Sequence, residues 1–386
     1  MQHEEVQPKH VLFWTVVALH TVGVLLTLLA GPGEDLGVYL EAADLYRAGR
    51  NPYDTVGPPY LYPPSFVAIL AALPPSMTGL LHPLQVLVSE VSLLAFCAVG
   101  GPLLGVGRSF LFVVCAVFAP VYLCLLAGQV DVVLLLLMTV ALGAGRGVGV
   151  AAVLASFFTK PVGLLWTTTL ALQGRWARVG AVVVSLLPWI LAHHLLFPER
   201  MPAYGAVLLG APVGDNGIVL PRDGFQNHSL ANLVLSVVGL VGWREVPLVY
   251  GGSALCALSL VWRRLRVAPG DPAVALAGCG ALCVLVPPYA WALYLMWLLP
   301  MLALHLHRRT DRRPSCALAL GILFVPPPVW LAAARLADPW SRLAAVALDE
   351  APTLAVLWLL WTLPGRDART CAPPQTARTV AREFRG

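Results

Sequence analysis

Long apolar runs, separated by short polar segments, make up most of this chain. Apolar runs of about 20 residues are long enough to cross the hydrocarbon core of a bilayer as helices. The pattern therefore predicts ten continuous membrane spans, at residues 11–30, 84–99, 110–127, 130–144, 177–197, 246–262, 272–287, 291–306, 316–333 and 343–363.

An eleventh apolar stretch, residues 148–172, is interrupted by Lys160 and Pro161. Proline removes a backbone donor and clashes with the preceding turn, so the break predicts two short helices instead of one span. Basic residues stand before and after the stretch, at Arg146 and Arg175. We therefore expect the pair of helices to enter and leave on the same side of the membrane.

Composition agrees with the apolar pattern. Of the 386 residues, 58% are hydrophobic and 12% are charged, and the mean hydropathy is +0.77. These values lie outside the range of soluble globular proteins and indicate an all-α polytopic membrane protein. Membrane lipids are its expected surroundings, and no nucleic-acid partner is predicted.

The arginines predict the orientation. They collect in residues 263–266, in residues 308–313 and along the tail, residues 366–385. The positive-inside rule places these segments and both termini in the cytoplasm and puts the loop that follows the first span outside. No small-residue cleavage site follows residues 11–30, so we expect this span to remain as an anchor in the plasma membrane.

One transmembrane domain, residues 1–363, is the predicted organisation. It has two large outer loops, residues 31–75 and 198–245, and the loop at residues 31–75 is the expected catalytic one. Residues 364–386 are predicted to be a basic, disordered cytoplasmic tail.

The cysteines and histidines do not form a recognisable metal motif. Seven of the eight cysteines lie in or beside apolar runs, where cysteine packs as a small apolar residue. Cys279 and Cys283 share a helical face but have no histidine or acid at ligand spacing. The adjacent His193 and His194 point about 100° apart on a helix, which makes a poor chelate. We expect no metal site and no cofactor.

The first outer loop opens with an amphipathic helix. After Glu34 and Asp35, apolar positions such as Tyr39 recur at helical spacing, and Gly49 can end the helix. This pattern is typical of a helix that lies on the membrane surface. Asp35 has two readings: a helix cap that accepts backbone N–H bonds, or a catalytic carboxylate. The segment Tyr62-Pro63-Pro64 then starts a second, short surface helix over residues 65–73.

A set of motifs in order along residues 11–297 resembles glycosyltransferase family 87. The motifs are Asp35-Leu36-x-Val38-Tyr39, Gly49-x-Asn51-Pro52-Tyr53, Tyr62-Pro63-Pro64, Gly128-Gln129, Lys160-Pro161 and Asn227-His228-Ser229-Leu230. The resemblance implies a C-type glycosyltransferase bundle of 10–12 transmembrane helices with outer juxtamembrane helices. It also implies a polyprenyl-phosphate-sugar-dependent hexosyltransferase that acts on the outer face. Because the family includes actinobacterial mannosyltransferases, mannose is the favoured sugar, and the acceptor would be a lipid or a glycan in cell-envelope glycolipid synthesis.

The site residues follow from this chemistry. A lipid-linked sugar phosphate carries its own leaving group, so the enzyme needs a carboxylate base, for which we select Asp35, and cations or N–H groups for the phosphate. Family members tend to carry a Trp-x-His-His-like element, but residues 287–294 contain no histidine. The outer-side cations that could replace it are Lys160, His228 and Arg222. Further substrate-binding candidates are Glu34, Tyr39, Tyr62, Gln129, Asp131, Asn227, Trp291 and Tyr294.

Structural alternatives stand beside several of these roles. Lys160 could snorkel to the interface, Gln129 and Asp131 could cap their helix, and His228 could be an ordinary polar loop residue. Glu90, within a span, is better explained as a paired structural acid than as a second base. At the level of the whole protein there are two alternatives. One is a lipid-linked sugar transporter or flippase; internal repeats would favour it, and none is detected in the sequence. The other is a non-catalytic member of the same fold.

Overall fold

The computed structural model describes residues 8–55, 60–208, 227–238, 246–287, 290, 292–308, 314–337 and 342–363. All regular elements in these residues are helices, which confirms the all-α prediction. They are α1 (Pro8–Ala30), α2 (Glu34–Arg47), α3 (Pro64–Ala72), α4 (Thr78–Leu104), α5 (Arg108–Ala116), α6 (Ala119–Ala127), α7 (Asp131–Gly143), α8 (Arg146–Ser156), α9 (Gly163–Leu172), α10 (Trp176–Leu196), α11 (Arg200–Leu208), α12 (Leu230–Val238), α13 (Val246–Val267), α14 (Pro272–Leu285), α15 (Leu299–Arg308), α16 (Pro314–Phe324), α17 (Pro327–Ala337), α18 (Arg342–Asp349) and α19 (Ala351–Trp361). Short 3₁₀ segments at Pro75–Met77 and Ala292–Leu298 precede α4 and α15.

Three described helices are long and apolar enough to cross a membrane. They comprise His10–Ala30, Pro75–Leu104 and Trp176–Leu196, and the pair α5 and α6 makes a fourth if it counts as one bent span. The other apolar helices among the described residues are shorter, including α7, α14 and α19. The chain is thus a membrane protein whose bundle combines long helices with short ones.

Four of the ten predicted continuous spans are broken. The span at residues 110–127 is two helices bent by 67°, and the span at 316–333 divides between α16 and α17. The span at 343–363 divides between α18 and α19, and the one at 291–306 begins as a 3₁₀ segment. Prolines stand at or within two residues of the start of each second helix, at Pro120, Pro327, Pro352 and Pro300. Hydropathy does not register such a break, because proline sits within an otherwise apolar run.

The break at Lys160 was predicted correctly. α8 ends at Ser156 and α9 begins at Gly163, so the Lys160-Pro161 segment joins two short helices. Whether both ends of this pair face the cytoplasm remains a prediction.

The centre of the bundle is α14, whose residues Ala273–Leu285 are all buried. Small residues allow its neighbours to approach closely. A Cβ atom on Gly280 would lie 2.0 Å from the backbone oxygen of Trp297, and one on Gly278 would lie 3.1 Å from Val261. This use of small residues at helix contacts is typical of membrane bundles, and it holds the Ala292–Leu298 segment against the core.

A second, smaller core is formed by α2, α3, the loop between them and Tyr204 from α11. It is rich in tyrosine, with Tyr39, Tyr53, Tyr60, Tyr62 and Tyr204 all buried. Both predicted surface helices are therefore present as helices and pack on each other. The guanidinium of Arg47, on α2, donates to the backbone oxygens of Leu70, Ala71 and Leu73 at 3.0 Å each and so caps the end of α3.

Candidate active site

The start of α2 packs closely against the end of α6, and a glycine from each segment lies at the contact. Gly128 caps the carboxyl end of α6, and its φ of 83° is in the left-handed region that favours glycine. A Cβ atom on Gly128 would lie 2.7 Å from Leu36 Cβ, and one on Gly33 would lie 1.8 Å from the backbone oxygen of Leu126. Neither position has room for a side chain. The first turn of α2, which carries Glu34 and Asp35, is consequently held beside Gln129.

Asp35 is not the cap of α2. The residue in the capping position is Gly33, and Asp35 is the second residue of the helix. Glu34 is exposed, whereas Asp35 is half-buried. Asp35 lies close enough to Gln129, Lys160 and Asp131 for these side chains to influence its carboxyl group.

Burial is the largest influence on the Asp35 carboxyl, and it raises the pKa of that group above the ordinary value. The polar side chain of Gln129 and the positive charge of Lys160 act in the opposite direction, while Asp131 and Glu34 add to the rise. The carboxyl is therefore more basic than that of an exposed aspartate.

Lys160 is the basic centre of the site. Its Nζ atom donates to Gln129 Oε1 at 2.7 Å, to Asp131 Oδ2 at 2.7 Å and to Tyr294 OH at 3.2 Å. The same atom lies 4.5 Å from the ring centroid of Tyr294 and 5.5 Å from that of Tyr62. Lys160 is only 8% exposed. A snorkelling lysine would reach solvent, so this alternative is wrong.

Tyrosines complete the wall of the site. The Tyr62 hydroxyl donates to Gln129 Oε1 at 2.9 Å, and the Tyr39 hydroxyl donates to that of Tyr62. The rings of Tyr39 and Tyr62 meet edge to face, with centroids 4.7 Å apart. Hydrogen bonds therefore join residues that are far apart in the sequence, and Asp35 lies beside them within electrostatic range of Lys160 and Asp131. We call these seven residues the Asp35–Lys160 cluster: Asp35, Tyr39, Tyr62, Gln129, Asp131, Lys160 and Tyr294.

The second outer loop contributes a neighbouring segment. The backbone N–H of His228 donates to the Ala290 oxygen at 2.7 Å, and Asn227 Oδ1 accepts from the Ala290 N–H at 2.9 Å. Ala290 is four residues before Tyr294, which contacts Lys160. The segment with His228 is thus tied to the chain that supplies one wall of the cluster.

His228 is buried, and neither of its ring nitrogens has a hydrogen-bond partner among the described residues. Burial lowers the pKa of this imidazole to about 4, so it is neutral near pH 7. An unpartnered buried imidazole is unusual in a folded protein and marks a position where a ligand could bind. Two other predicted site residues, Arg222 and Trp291, lie outside the described residues.

Sequence reasoning missed Glu350. This residue, at the junction of α18 and α19, is 1% exposed and accepts hydrogen bonds from Asn232 at 2.8 Å and Thr353 at 2.9 Å. Asn232 also donates to the backbone oxygen of Asn227, so Glu350 anchors the segment that carries His228. An acidic pair inside an apolar run, Asp349 with Glu350, was the available signal.

Glu90 has the partner expected of a structural acid. Its carboxylate lies 2.9 Å from His20 Nε2, and the other ring nitrogen of His20 lies 2.7 Å from the Tyr122 hydroxyl. This network joins α1, α4 and α6. Within the described part of the chain, no three His, Cys, Asp or Glu side chains group as metal ligands.

The fold and the cluster together define a membrane protein with a buried polar cluster beside the first turn of α2. The model of glycosyltransferase family 87 matches residues 60–288, more than half of the chain. The chain therefore belongs to glycosyltransferase family 87 and is a membrane glycosyltransferase, which confirms the resemblance. The match includes Gln129, Asp131 and Lys160 but begins after Asp35.

A solved structure of ArnT from Cupriavidus metallidurans, bound to undecaprenyl phosphate, is similar to this chain with a TM-score of 0.44. The two are 16% identical, and the similarity covers 93% of this chain and 77% of that one. No curated protein matches this sequence.

Proposed function

We propose that this glycosyltransferase moves a hexose, with mannose favoured, from a polyprenyl-phosphate donor to a lipid or glycan acceptor on the outer face of the plasma membrane. The observation that carries the proposal is the position of Asp35 beside Lys160 and the groups that are hydrogen-bonded to it. It brings a carboxylate of raised basicity and a lysine into one cluster, and these are the two groups that this transfer requires.

The reaction transfers one proton and exchanges one bond. The acceptor hydroxyl oxygen bonds to the anomeric carbon of the sugar while its proton moves to the Asp35 carboxylate. The bond between that carbon and the phosphate oxygen breaks, and its electron pair leaves with the polyprenyl phosphate. Donors near the leaving oxygen stabilise the charge that develops there.

Lys160 supplies one such donor, but its present hydrogen bonds limit how many protons it can offer to a phosphate. An ammonium group has three protons, and Lys160 already directs donors to Gln129, Asp131 and Tyr294. A donor phosphate would therefore replace one of these partners. Asp131 already neutralises the lysine charge, so further groups are needed. His228 has two unpartnered ring nitrogens. Because its imidazole is neutral near pH 7, it could donate one N–H bond to the phosphate but would supply no positive charge. Arg222 is the remaining candidate for a second cation.

Sugar hydroxyls would be bound by the polar wall of the cluster. Tyr39, Tyr62, Asp131 and Tyr294 line it, and the exposed Glu34 stands beside Asp35. Asn227 has a loop-building role, because its side-chain oxygen already accepts from the backbone N–H groups of Ser229 and Ala290.

The test is the Asp35→Asn variant with Asp44→Asn, on the same helix, as its matched control. Asparagine keeps the shape of Asp35 but cannot take the proton, so transfer should fall by roughly 10²-fold or more. Asp44 is exposed and lies outside the cluster, so its amide variant should keep most of the activity. The assay follows the release of polyprenyl phosphate from a polyprenyl-phosphate mannose with a membrane lipid extract as acceptor. Well-folded Asp35→Asn protein with wild-type turnover would remove Asp35 from the mechanism.

The transporter alternative makes a different prediction for the same purified protein. A flippase in vesicles would move the lipid-linked sugar across the bilayer without transferring it to an acceptor, and no free polyprenyl phosphate would form. Mass spectrometry of envelope glycolipids from cells with and without the gene identifies the sugar and the acceptor.

A further inference from the structure

The turn between α9 and α10 is fixed by its backbone. Gly174 has a φ of 73°, and its N–H donates to the Ala171 oxygen at 2.8 Å. The Arg175 N–H donates to the Leu170 oxygen at 2.9 Å, which completes the Schellman arrangement at the end of a helix. One glycine therefore separates Gln173, which caps α9, from Arg175, which precedes the first residue of α10.

Two arginines stand three residues apart at this turn. The Arg178 backbone N–H donates to the Arg175 oxygen at 2.9 Å, so both belong to the start of α10. Side chains three residues apart on a helix are neighbours, and two of like charge repel each other. The start of a helix also carries the positive end of its dipole, which disfavours cations. This arrangement of charge is unfavourable unless an anion is present.

The two arginines have no acidic partner. The sequence contains no Asp or Glu between Asp131 and Glu199, and the ion pairs within the described part of the chain do not include Arg175 or Arg178. Arg175 Nη1 donates to the Leu142 backbone oxygen, at the end of α7, at 2.8 Å. This bond holds the guanidinium in place without neutralising its charge.

Polar atoms of the same turn are buried without hydrogen bonds. They are Arg178 Nη1 and both amide atoms of Gln173, and none of them has a partner among the described residues. Buried polar groups in folded proteins are normally paired, so unpaired ones call for an explanation. Gln173, Arg175 and Arg178 are each partly exposed as whole residues, so a group at the membrane surface can reach them. The turn thus offers hydrogen-bond donors and positive charge to a ligand.

Membrane topology alone does not explain this arrangement. The positive-inside rule requires basic residues near the ends of spans, and an exposed arginine satisfies it as well as a partly buried one. Arg108 and Arg146, which begin α5 and α8, are exposed in this way. Arg178 differs from them, because one of its nitrogens is buried without a partner.

We propose that Gln173, Arg175 and Arg178 bind the phosphate of an anionic phospholipid. A planar guanidinium matches phosphate oxygens with two parallel hydrogen bonds, and basic pockets between membrane helices bind acidic lipid headgroups. Two uncompensated positive charges favour an acidic headgroup over a zwitterionic one, whose ammonium group would meet the arginines.

The surface beside the turn fits a lipid better than a free phosphate ion. α10 has 21 residues, and only 11% of its apolar window is buried inside the protein. Large apolar side chains are exposed along it, at Trp176, Val183, Val184 and Leu187. Acyl chains can therefore pack on the same helix that carries Arg178.

The lipid site lies away from the Asp35–Lys160 cluster. Lys160 precedes the start of α9, and Gln173 follows its end. A helix of ten residues rises about 15 Å. The lipid site is thus independent of the proposed transfer reaction, and it can be tested without an activity assay.

Thermal unfolding of the full-length protein in detergent, with added phosphatidylglycerol or phosphatidylcholine, tests the site. Phosphatidylglycerol should raise the wild-type Tm by about 3 °C or more, because a ligand that binds only the folded state stabilises it. Phosphatidylcholine should have a much smaller effect. Arg178→Gln should reduce the phosphatidylglycerol shift by about half or more. The matched control Arg108→Gln changes an exposed arginine at the start of α5 and should keep the shift.

Gln173→Leu separates a specific site from a general attraction of acidic lipid to basic residues. Leucine is similar in size and leaves both arginine charges in place, so a reduced shift would come from the lost amide. This variant also provides the test if Arg178→Gln does not fold. Inorganic phosphate at the same concentration as the lipid should leave the Tm unchanged.

Four results would overturn the lipid site. They are equal shifts with the two lipids, an unreduced shift in Arg178→Gln or in Gln173→Leu, an equal reduction in Arg108→Gln, and a shift with inorganic phosphate as large as that with phosphatidylglycerol. The last result would assign the turn to a soluble anion.

Discussion

Lys160 and Asp131 form an ion pair of 2.7 Å inside the protein, with side-chain exposures of 10% and 1%. Asp131 Oδ1 has no hydrogen-bond partner in the described part of the chain. The positive charge of Lys160 is therefore the main interaction that stabilises the buried Asp131 carboxylate. Removing one member of such a pair usually costs more than removing both, because it leaves an uncompensated buried charge.

We expect Lys160→Met to lower the free energy of unfolding by about 3 kcal/mol, and the double variant Lys160→Met with Asp131→Asn to recover much of this loss. Thermal unfolding in detergent of the wild-type protein, the single variants and the double variant measures these differences. The exposed ion pair of Arg47 with Asp44 is the matched control, and Asp44→Asn should cost about 1 kcal/mol or less. Equal losses for the single and double variants would show that the pair is not a compensating unit.

The same Lys160→Met protein tests the donor phosphate. Loss of a charge-assisted hydrogen bond is worth about 2 kcal/mol, so apparent affinity for the donor or turnover should fall by at least about tenfold. Acceptor affinity should be nearly unchanged, and kinetics with each substrate varied in turn would measure both. The double variant should be more stable than Lys160→Met. If it shows wild-type kinetics, Lys160 does not bind the donor phosphate.

His228→Asn addresses the second candidate for the phosphate. Because the ring nitrogens of His228 have no described partners, their loss should affect thermal stability little, whereas donor affinity should fall by about tenfold. Asn227→Ala is the contrasting variant. It removes a side-chain oxygen that accepts from Ser229 and Ala290, so stability should fall as well. Unchanged donor kinetics in folded His228→Asn protein would exclude this histidine.

Much of this arrangement could be predicted from the sequence, since short-range patterns determine it. The acidic first turn and helical spacing identified α2, and Lys160-Pro161 identified a helix break. The family resemblance and the chemistry it implies selected seven residues that the structure brings into one cluster. Their pairing could not be predicted, because residues 35, 129, 160 and 294 meet only through tertiary packing. For the same reason Glu350, which accepts from Asn232 and Ser236 on the distant helix α12, was missed.

Gly128 tests the docking of α2 on α6. Alanine at this position would have a φ of 83° and a Cβ atom 2.7 Å from Leu36 Cβ. The first turn of α2 would have to move, and Asp35 would move with it. We expect Gly128→Ala to lower kcat by about tenfold or more, because small displacements of catalytic groups are costly. The control is Gly37→Ala, on α2 itself, which meets nothing within 4 Å and should stabilise the helix by about 0.5–1 kcal/mol. Equal activity in the two variants would mean that the Gly128 contact does not position Asp35.

The last prediction concerns the sides of the membrane. The arginine distribution predicts that α2 lies outside and that the turn between α7 and α8 lies in the cytoplasm. Arg50, just after α2, and Arg146, at the start of α8, are both exposed and make a matched pair for labelling. Thr55 lies in the same outer loop but is 1% exposed, so it would label poorly on either side.

In a cysteine-free background, Arg50→Cys should react with an impermeant thiol reagent added to intact cells, and Arg146→Cys should react only after the membrane is opened. Single cysteines at Gly217 and Thr376 extend the test to the second outer loop and the tail, where labelling is expected for Gly217→Cys alone. Reaction of Arg146→Cys and not of Arg50→Cys would invert the topology. Because an outer-face reaction requires α2 and Asp35 outside, that result would also remove the extracytoplasmic polyprenyl-phosphate donor from the proposed mechanism.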